Sequence, residues 1–306
     1  LLLSLTLTAG LWLFERHAIQ RTEQARLDAA TGEIAHQFEQ RLVASEIVVR
    51  AAASIVASRQ HELTEGEWER FVERLDLNST TFDGATGLGL ALCVEPGELD
   101  AHVAHMRRTH PDYTVVPPGV RAVHVPLVGL KQIDHVDVAR RPLGYDGWAD
   151  PTRRDAIERA ATTGAIAYTP ALEQPTQSTE REGDAFVVLY APAFEPGAGA
   201  EGRTLGIHDV HALTVTRIRL APLLAAAGKR ARGIAVTLSI PDLSRRPVIV
   251  ETHPGERLSR DILPGTVTLR RGGIDFTLRT AALPAFRTGH DDRLEILIPA
   301  VGIAGS

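Results

Sequence analysis

Cysteine is almost missing from this chain. Cys93 is the only one in 306 residues, which excludes an internal disulfide framework and any multi-cysteine metal centre. Lysine is nearly as scarce, with Lys131 and Lys229 the only two among 33 basic residues, and Asn78 is the only asparagine. That bias is the mark of a GC-rich, bacterial coding sequence, so an arginine-rich stretch is not by itself an anion site. Positive charge is not in excess either. Thirty-three basic against 38 acidic residues leave a net charge of −5, and with a pI near 6.2 no basic surface asks for nucleic acid. Catalytic signatures are absent: there is no Gly-x-x-x-x-Gly-Lys-Ser/Thr, no Gly-x-Ser-x-Gly and no His-Glu-x-x-His, so neither an enzyme nor a bound cofactor is expected. What is present is ordinary for a globular chain. The hydrophobic fraction is 44% and the charged fraction 23%, enough for a sizeable core and about two domains.

The two ends carry the clearest pattern. Leu1 to Phe14 contains no charge, and Glu15-Arg16-His17 follow. A spanning helix needs ~20 apolar residues, so residues 1–14 read as part of a transmembrane helix, with Trp12 and Phe14 at the interface. The stretch 294–306, apolar from Ile296, reads as the start of a second. The competing readings are a signal-peptide core and a terminal strand. Residues 15–60 form a proline-free, helical-period pattern through Leu27, Ile34, Phe38, Leu42, Val48, Ala52 and Ile55. This is a stalk helix of about 69 Å at ~1.5 Å per residue. Its apolar stripe implies packing on a second copy, giving a homodimer, or on the chain's own domain.

Further along, Thr64-Glu-Gly-Glu67 is a capping box opening a helix through Trp68, Phe71, Val72 and Leu75. Strands are predicted at Leu88–Val94, Tyr113–Val116 and Ala122–Leu130, and a helix from Pro96 to Arg108. Asp150-Pro151 supplies an N-cap and a first-turn proline for a helix ending at Thr163, closed by Gly164. Strands Ala165–Thr169 and Ala185–Ala191 flank a polar loop at Gln174–Gly183. Glu195–Gly202 reads as a linker. A second set follows: strand His211–Ile218, helix Leu220–Ala227, then strands Ile234–Ile240, Val248–Thr252, Thr266–Arg270 and Gly273–Thr280. The whole reads as an α+β chain of two lobes, 61–194 and 203–290, each an antiparallel sheet with flanking helices.

The run Leu143 to Gly164, then Ala167-Tyr-Thr-Pro-Ala-Leu172 and Phe186-Val-Val-Leu-Tyr-Ala-Pro192, resembles the CHASE domain. This is the extracytoplasmic sensor module of plant cytokinin receptors and many bacterial signalling proteins. Glu67-Trp-Glu-Arg-Phe71, the Gly87–Val94 strand and the Glu98–Arg108 helix fit the same pattern upstream. The resemblance covers about 64–195. It implies two PAS-like lobes on a stalk, the membrane-distal one first, between two membrane helices. The implied place is the inner membrane, with 15–293 outside the cytoplasm. The implied role is to bind a small molecule and pass a signal to a histidine kinase or a cyclic-nucleotide-making or -degrading domain. No such output domain lies within these residues.

The resemblance also names candidate ligand contacts. A distal-lobe Asp that hydrogen-bonds the adenine-type ligand of the plant receptors falls on Asp146, and a backbone contact falls on or next to Tyr168. Trp148 stands where the family usually has a smaller residue. From the residues themselves, Val123, Val125, Phe186, Val188 and Tyr190 alternate as one sheet face, either as pocket wall or as plain core. Asp146 can equally be a turn residue of Gly-Tyr-Asp-Gly. Arg153 and Arg154 are either paired, with Asp155 or Glu158, or an anion site. His102 with His105, and His208 with His211, are each three apart but lack a third ligand, so no metal is expected. Two other readings stay open: a sensor of a partner protein, and a membrane-anchored binding protein, scaffold or enzyme.

Overall fold

The computed structural model describes residues 2–59, 63–75, 77, 82, 84–132, 143–172, 185–194, 197–198, 204–240, 247–259 and 261–287. A single helix, α1, runs from Leu2 to Ala57, joining the apolar start and the stalk pattern without a break. Among the described residues no helix is long and apolar enough to cross a membrane. The predicted second membrane segment at 294–306 and most of the linker at 195–202 lie outside the described residues, as does the loop 174–183.

Two antiparallel sheets lie along α1. The first has the order β2-β1-β5-β4-β3, and the second β7-β6-β9-β8. The first is built from β1 (Ala85–Leu92), β2 (Leu127–Gln132), β3 (Ala167–Tyr168), β4 (Phe186–Phe194) and β5 (Val210–Arg219). The second is built from β6 (Ile234–Ile240), β7 (Val248–Glu251), β8 (Gly265–Arg271) and β9 (Ile274–Ala282). The remaining helices are α2 (Glu65–Arg74), α3 (Leu99–Met106), α4 (Pro151–Thr163) and α5 (Leu220–Gly228).

The stalk is long because it serves both sheets. The segment from Gln24 to Phe38 meets the second: Phe38 packs on Phe276 with ring centroids 5.8 Å apart, Thr31 and Thr280 share a 2.5 Å hydrogen bond, and Gln24 bonds both backbone groups of Leu263. Farther on, Val49 meets the first, its carbonyl accepting from Thr214 Oγ1 at 2.7 Å. Leu27, Phe38, Leu42, Val49 and Ala52 are fully buried by these contacts.

Three sequence expectations change. β5 follows the glycine-rich Glu195–Gly202 stretch yet sits at the centre of the first sheet, paired with both β1 and β4. That stretch therefore connects two strands of one sheet, and the chain passes to the second sheet only after Arg219. The strand expected at Tyr113–Val116 is a lone bridge from Val116 to Tyr145, because Pro117 and Pro118 have no N–H to continue a ladder. The strand expected over Ala122–Leu130 pairs regularly only from Leu127. Pro126 cannot donate, and the Val125 N–H is taken by a side chain, Asp146 Oδ1, at 2.8 Å.

Local signals hold elsewhere. Thr64 caps α2 with a reciprocal box: its side chain accepts from Glu67 N, and Glu67 accepts from Thr64 N at 3.0 Å. The Thr64 backbone, the Thr64 hydroxyl and Arg59 hold the Glu67 carboxyl down at about 2. Replacing Thr64 by Ala should cost about 1 kcal/mol at neutral pH. A folded-state pKa below the unfolded value gives stability that is complete above about 4.5 and fades as pH falls toward 2. Denaturant titrations at pH 7 and pH 3 should therefore show the gap between Thr64→Ala and the parent shrinking at the lower pH. An unchanged gap would remove Glu67 from the cap.

Candidate ligand site

The first sheet is covered on both sides, so β4 reads as continuous apolar sequence. Its residues nevertheless divide strictly by parity. Val187, Leu189 and Ala191 face the stalk core. Phe186, Val188 and Tyr190 face a second core with Val123, Val125, Trp148 and the α4 residues Ala156, Ile157 and Ala160. Every candidate wall residue named from the sequence is thus in one cluster, none more than 6% exposed. Asp146 is at its border.

The Gly144–Gly147 segment threads between Val116 and Val125 and is bonded on both sides. Asp146 N donates to Val116 O at 2.7 Å, Gly147 N to Val125 O at 3.0 Å, and Leu127 N to Tyr145 O at 3.0 Å. Gly144 passes so close to Thr114 O that no Cβ would fit. This explains why the motif needs a glycine at 144, where φ is also positive, at +89°.

Asp146 is fully buried. Its Oδ1 accepts from Val125 N at 2.8 Å and Trp148 N at 3.0 Å. Its Oδ2 faces His124 Nδ1 at 3.0 Å and Arg121 Nη1 at 3.4 Å. Three hydrogen bonds and the Arg121 ion pair thus occupy both oxygens of the carboxylate. The turn role and the buried role are therefore the same role, since the Trp148 bond is the turn. Burial pushes the nearby Tyr113 hydroxyl up, and the Asp146 charge adds to the shift.

Asp150 caps α4, accepting from Thr152 N at 3.0 Å. Arg153 leaves that first turn and is 5% exposed. Its Nη1 donates to Tyr190 Oη at 3.1 Å, its Nε stands 3.3 Å from Asp150 Oδ2, and its guanidinium lies 5.6 Å from the centroid of the Tyr145 ring. Arg153 thus pairs with Asp150 and Tyr190; the expected partner Asp155 binds Arg159 instead.

Tyr168 departs from the group. Its side chain lies on the stalk face, where its hydroxyl donates to Glu46 Oε1 at 2.9 Å. Both of its backbone groups are also spent. The N–H donates to Gly272 O at 3.0 Å, and the C=O accepts from Arg159 Nη2 at 2.7 Å. Glu46 further accepts from Arg271 Nη2 at 2.7 Å, and Arg159 Nη1 donates to Gly272 O at 2.8 Å. Stalk, first sheet, α4 and the β8–β9 turn all meet there. Burial, then the Glu46 charge, pushes the Tyr168 hydroxyl well above its ordinary range.

The histidine pairs do not gather ligands. His102 bonds Tyr113 Oη at 2.8 Å and His208 meets Glu95 at 2.6 Å, and among the described residues no group of three metal-ligating side chains forms. Burial, with Glu95 nearby, raises the Cys93 thiol to about 12. Away from the candidate residues, a groove of about 910 Å³ runs between α1 and α5, bordered by Ala30, Ile34, Arg41, Pro222 and Lys229 among others.

Sequence reasoning missed His124, Arg121 and Glu46. Two of them left a trace. His124 interrupts the apolar Val123–Val125 stretch, and Glu46 stands in the buried stripe between Leu42 and Val49, where a charge needs a partner.

The family comparison settles what this assembly belongs to. The CHASE domain profile matches residues 61–249, more than half of the chain. The chain belongs to the CHASE domain family. CHASE is a sensory domain rather than a catalytic one. Among solved structures, this CHASE chain is similar to an extracellular domain assigned to a histidine kinase, soHK1S-Z6. The identity there is 12%, with 88% of this chain and 96% of that one covered, at a TM-score of 0.43. It is also similar to an extracellular ligand-binding receptor from Desulfohalobium retbaense DSM5692, at 11% identity, 86% and 39% coverage and a TM-score of 0.38. No curated protein matches this chain.

Proposed function

We propose that this CHASE chain is the extracytoplasmic input region of a bacterial transmembrane receptor with a kinase, cyclase or phosphodiesterase output. A small molecule enters the first lobe beside Asp146, Trp148, Val125, Phe186, Val188 and Tyr190. The second lobe and the stalk carry the response inward, within a homodimer. The strand order β2-β1-β5-β4-β3, with α4 on one face and α1 on the other, supports reading the first lobe as PAS-like. Leu7, Leu11, Leu13 and Phe14 leave half or more of their area exposed, which suits a membrane environment for the start of α1.

The observation that carries this reading is the parity of β3. Ala167 faces the candidate pocket core, while the next residue, Tyr168, grips Glu46 of the stalk. A shift of β3 on ligand entry moves both. Such a signal requires that the ligand prefer one of two arrangements of that grip. The Tyr168 backbone, already bonded on both sides, acts as a transmitting element and not as a ligand contact.

The test joins the 306-residue chain in frame to a histidine kinase output in membranes. A metabolite panel is screened for binding and for a change in autophosphorylation. Tyr168→Phe should keep the affinity for a bound compound within about threefold and lose most of the change in kinase output, with a stability cost of about 1–3 kcal/mol. If no metabolite binds and a purified extracytoplasmic protein changes the output instead, the chain senses a protein partner.

A further inference from the structure

The geometry points to a hydrogen-bond acceptor, and by shape a carboxylate, as the class of ligand this first-lobe site takes. This deepens the small-molecule reading and rests on it. The family resemblance leads one to expect the reverse, a ligand whose N–H groups bind a free aspartate. Asp146 is not free. Its two oxygens already hold Val125 N, Trp148 N, His124 Nδ1 and Arg121 Nη1, so a ligand N–H would have to displace one of them.

The unspent capacity in the cluster is of the opposite kind. Arg153 has five N–H donors and is 95% buried by its 5% exposure. One of them makes a hydrogen bond, to Tyr190 Oη at 3.1 Å. Its Nε makes none, although Asp150 Oδ2 lies 3.3 Å away and balances the charge. A guanidinium nitrogen so buried and left without a hydrogen bond is uncommon, since buried polar groups are otherwise paired. Tyr190 accepts from Arg153 with its oxygen, so its own proton is left to give. It is 3% exposed and on the α4-facing side of β4. Trp148, in the same core, has an indole N–H that can only donate.

Charge does not drive the choice, because Asp146 and Asp150 offset Arg121 and Arg153. Geometry does. A guanidinium presents two parallel N–H groups that match the two oxygens of a carboxylate, and such pairs are stronger than neutral ones. Around that anchor the wall is apolar: Val125, Phe186, Val188 and Ile157. A small aliphatic or aromatic acid fits this combination, its carboxylate on Arg153 and Tyr190 and its carbon body on the sheet.

Thermal-shift and calorimetric titrations of the 306-residue chain test this with two sets of probes. The carboxylate set is pyruvate, succinate, propionate and benzoate, and the donor set is adenine and benzamidine. At least one carboxylate should raise the melting temperature by several degrees, and adenine and benzamidine should not. Arg153→Gln should weaken that carboxylate at least tenfold. Tyr190→Phe, which keeps the ring and the fold, should weaken it about three- to tenfold. Binding of adenine or benzamidine without any carboxylate would overturn the acceptor assignment and leave the small-molecule reading standing. Binding of no probe in either set would overturn the assignment and count against that reading too. Carboxylate binding unchanged in both variants would place the ligand elsewhere.

Discussion

Asp146→Ala should destabilise the chain by about 3–5 kcal/mol, the usual cost of removing one partner from a buried charged cluster. The carboxylate is fully buried, and its loss strands two backbone N–H groups and the imidazole of His124 and removes the counter-charge of Arg121. Each orphaned buried donor costs about 1–3 kcal/mol unless water reaches it. Arg121 loses least, because it also donates to Pro117 O and Gly119 O. Asp146→Asn should cost less, about 1–3 kcal/mol, since one amide oxygen still serves Val125 N and Trp148 N while the amide nitrogen opposes His124 and Arg121. Urea titrations with a common slope measure both. A loss below about 1 kcal/mol for the alanine variant would mean that the cluster is not what holds Gly144–Gly147 in place. Asp146→Ala should also abolish binding simply by loosening the lobe, so only variants that fold can locate the contact.

Gly272→Ala has the second large effect, about 2–5 kcal/mol. Gly272 and Gly273 make the two-residue turn between β8 and β9, with φ of +51° and +83°. Both central residues of such a turn need positive φ. Forcing alanine there costs roughly 1–2 kcal/mol in backbone strain. The larger part is contact, because an added Cβ at Gly272 would run into the Tyr168 ring, and overpacking of a filled core costs about 1–3 kcal/mol. Gly255→Ala separates the two terms. Gly255 has φ of +77° but nothing within 4 Å of an added Cβ, so it should lose only the strain, about 1–2 kcal/mol. Equal losses at both positions would show that the turn does not press on Tyr168. The contact matters for function because the Gly272 carbonyl receives both Tyr168 N and Arg159 Nη1, which ties the second sheet to the first.

Elements with local signals were legible in the sequence. The Thr64 box, the Asp150-Pro151 start and Gly164 end of α4, and the alternation of β4 each depend on residues a few positions apart, and the structure places them as read. Sheet membership was not. β5 lies beyond a glycine-rich stretch that looks like a boundary, and only its pairing with β1, more than a hundred residues earlier in the chain, returns it to the first sheet. The wall residues of the site were found by period alone. Whether Asp146 had free oxygens could not be, because most of its partners, Val125 N, His124 and Arg121, lie more than 20 residues earlier in the chain. Tyr168 was named from the resemblance. Its side chain turned out to be on the other face, since neighbouring strand residues point oppositely.

Hydrogen exchange in the stalk, read with and without a compound that stabilises the 306-residue chain, tests the account most directly. In the parent chain the compound should slow exchange at two places, around 123–125 with 146–148 and across 39–50 of α1. In Tyr168→Phe the first should persist and the second disappear. If the parent chain shows protection only around the candidate pocket, with 39–50 unchanged, then the stalk does not report on the first lobe and the proposed sensing mechanism is wrong.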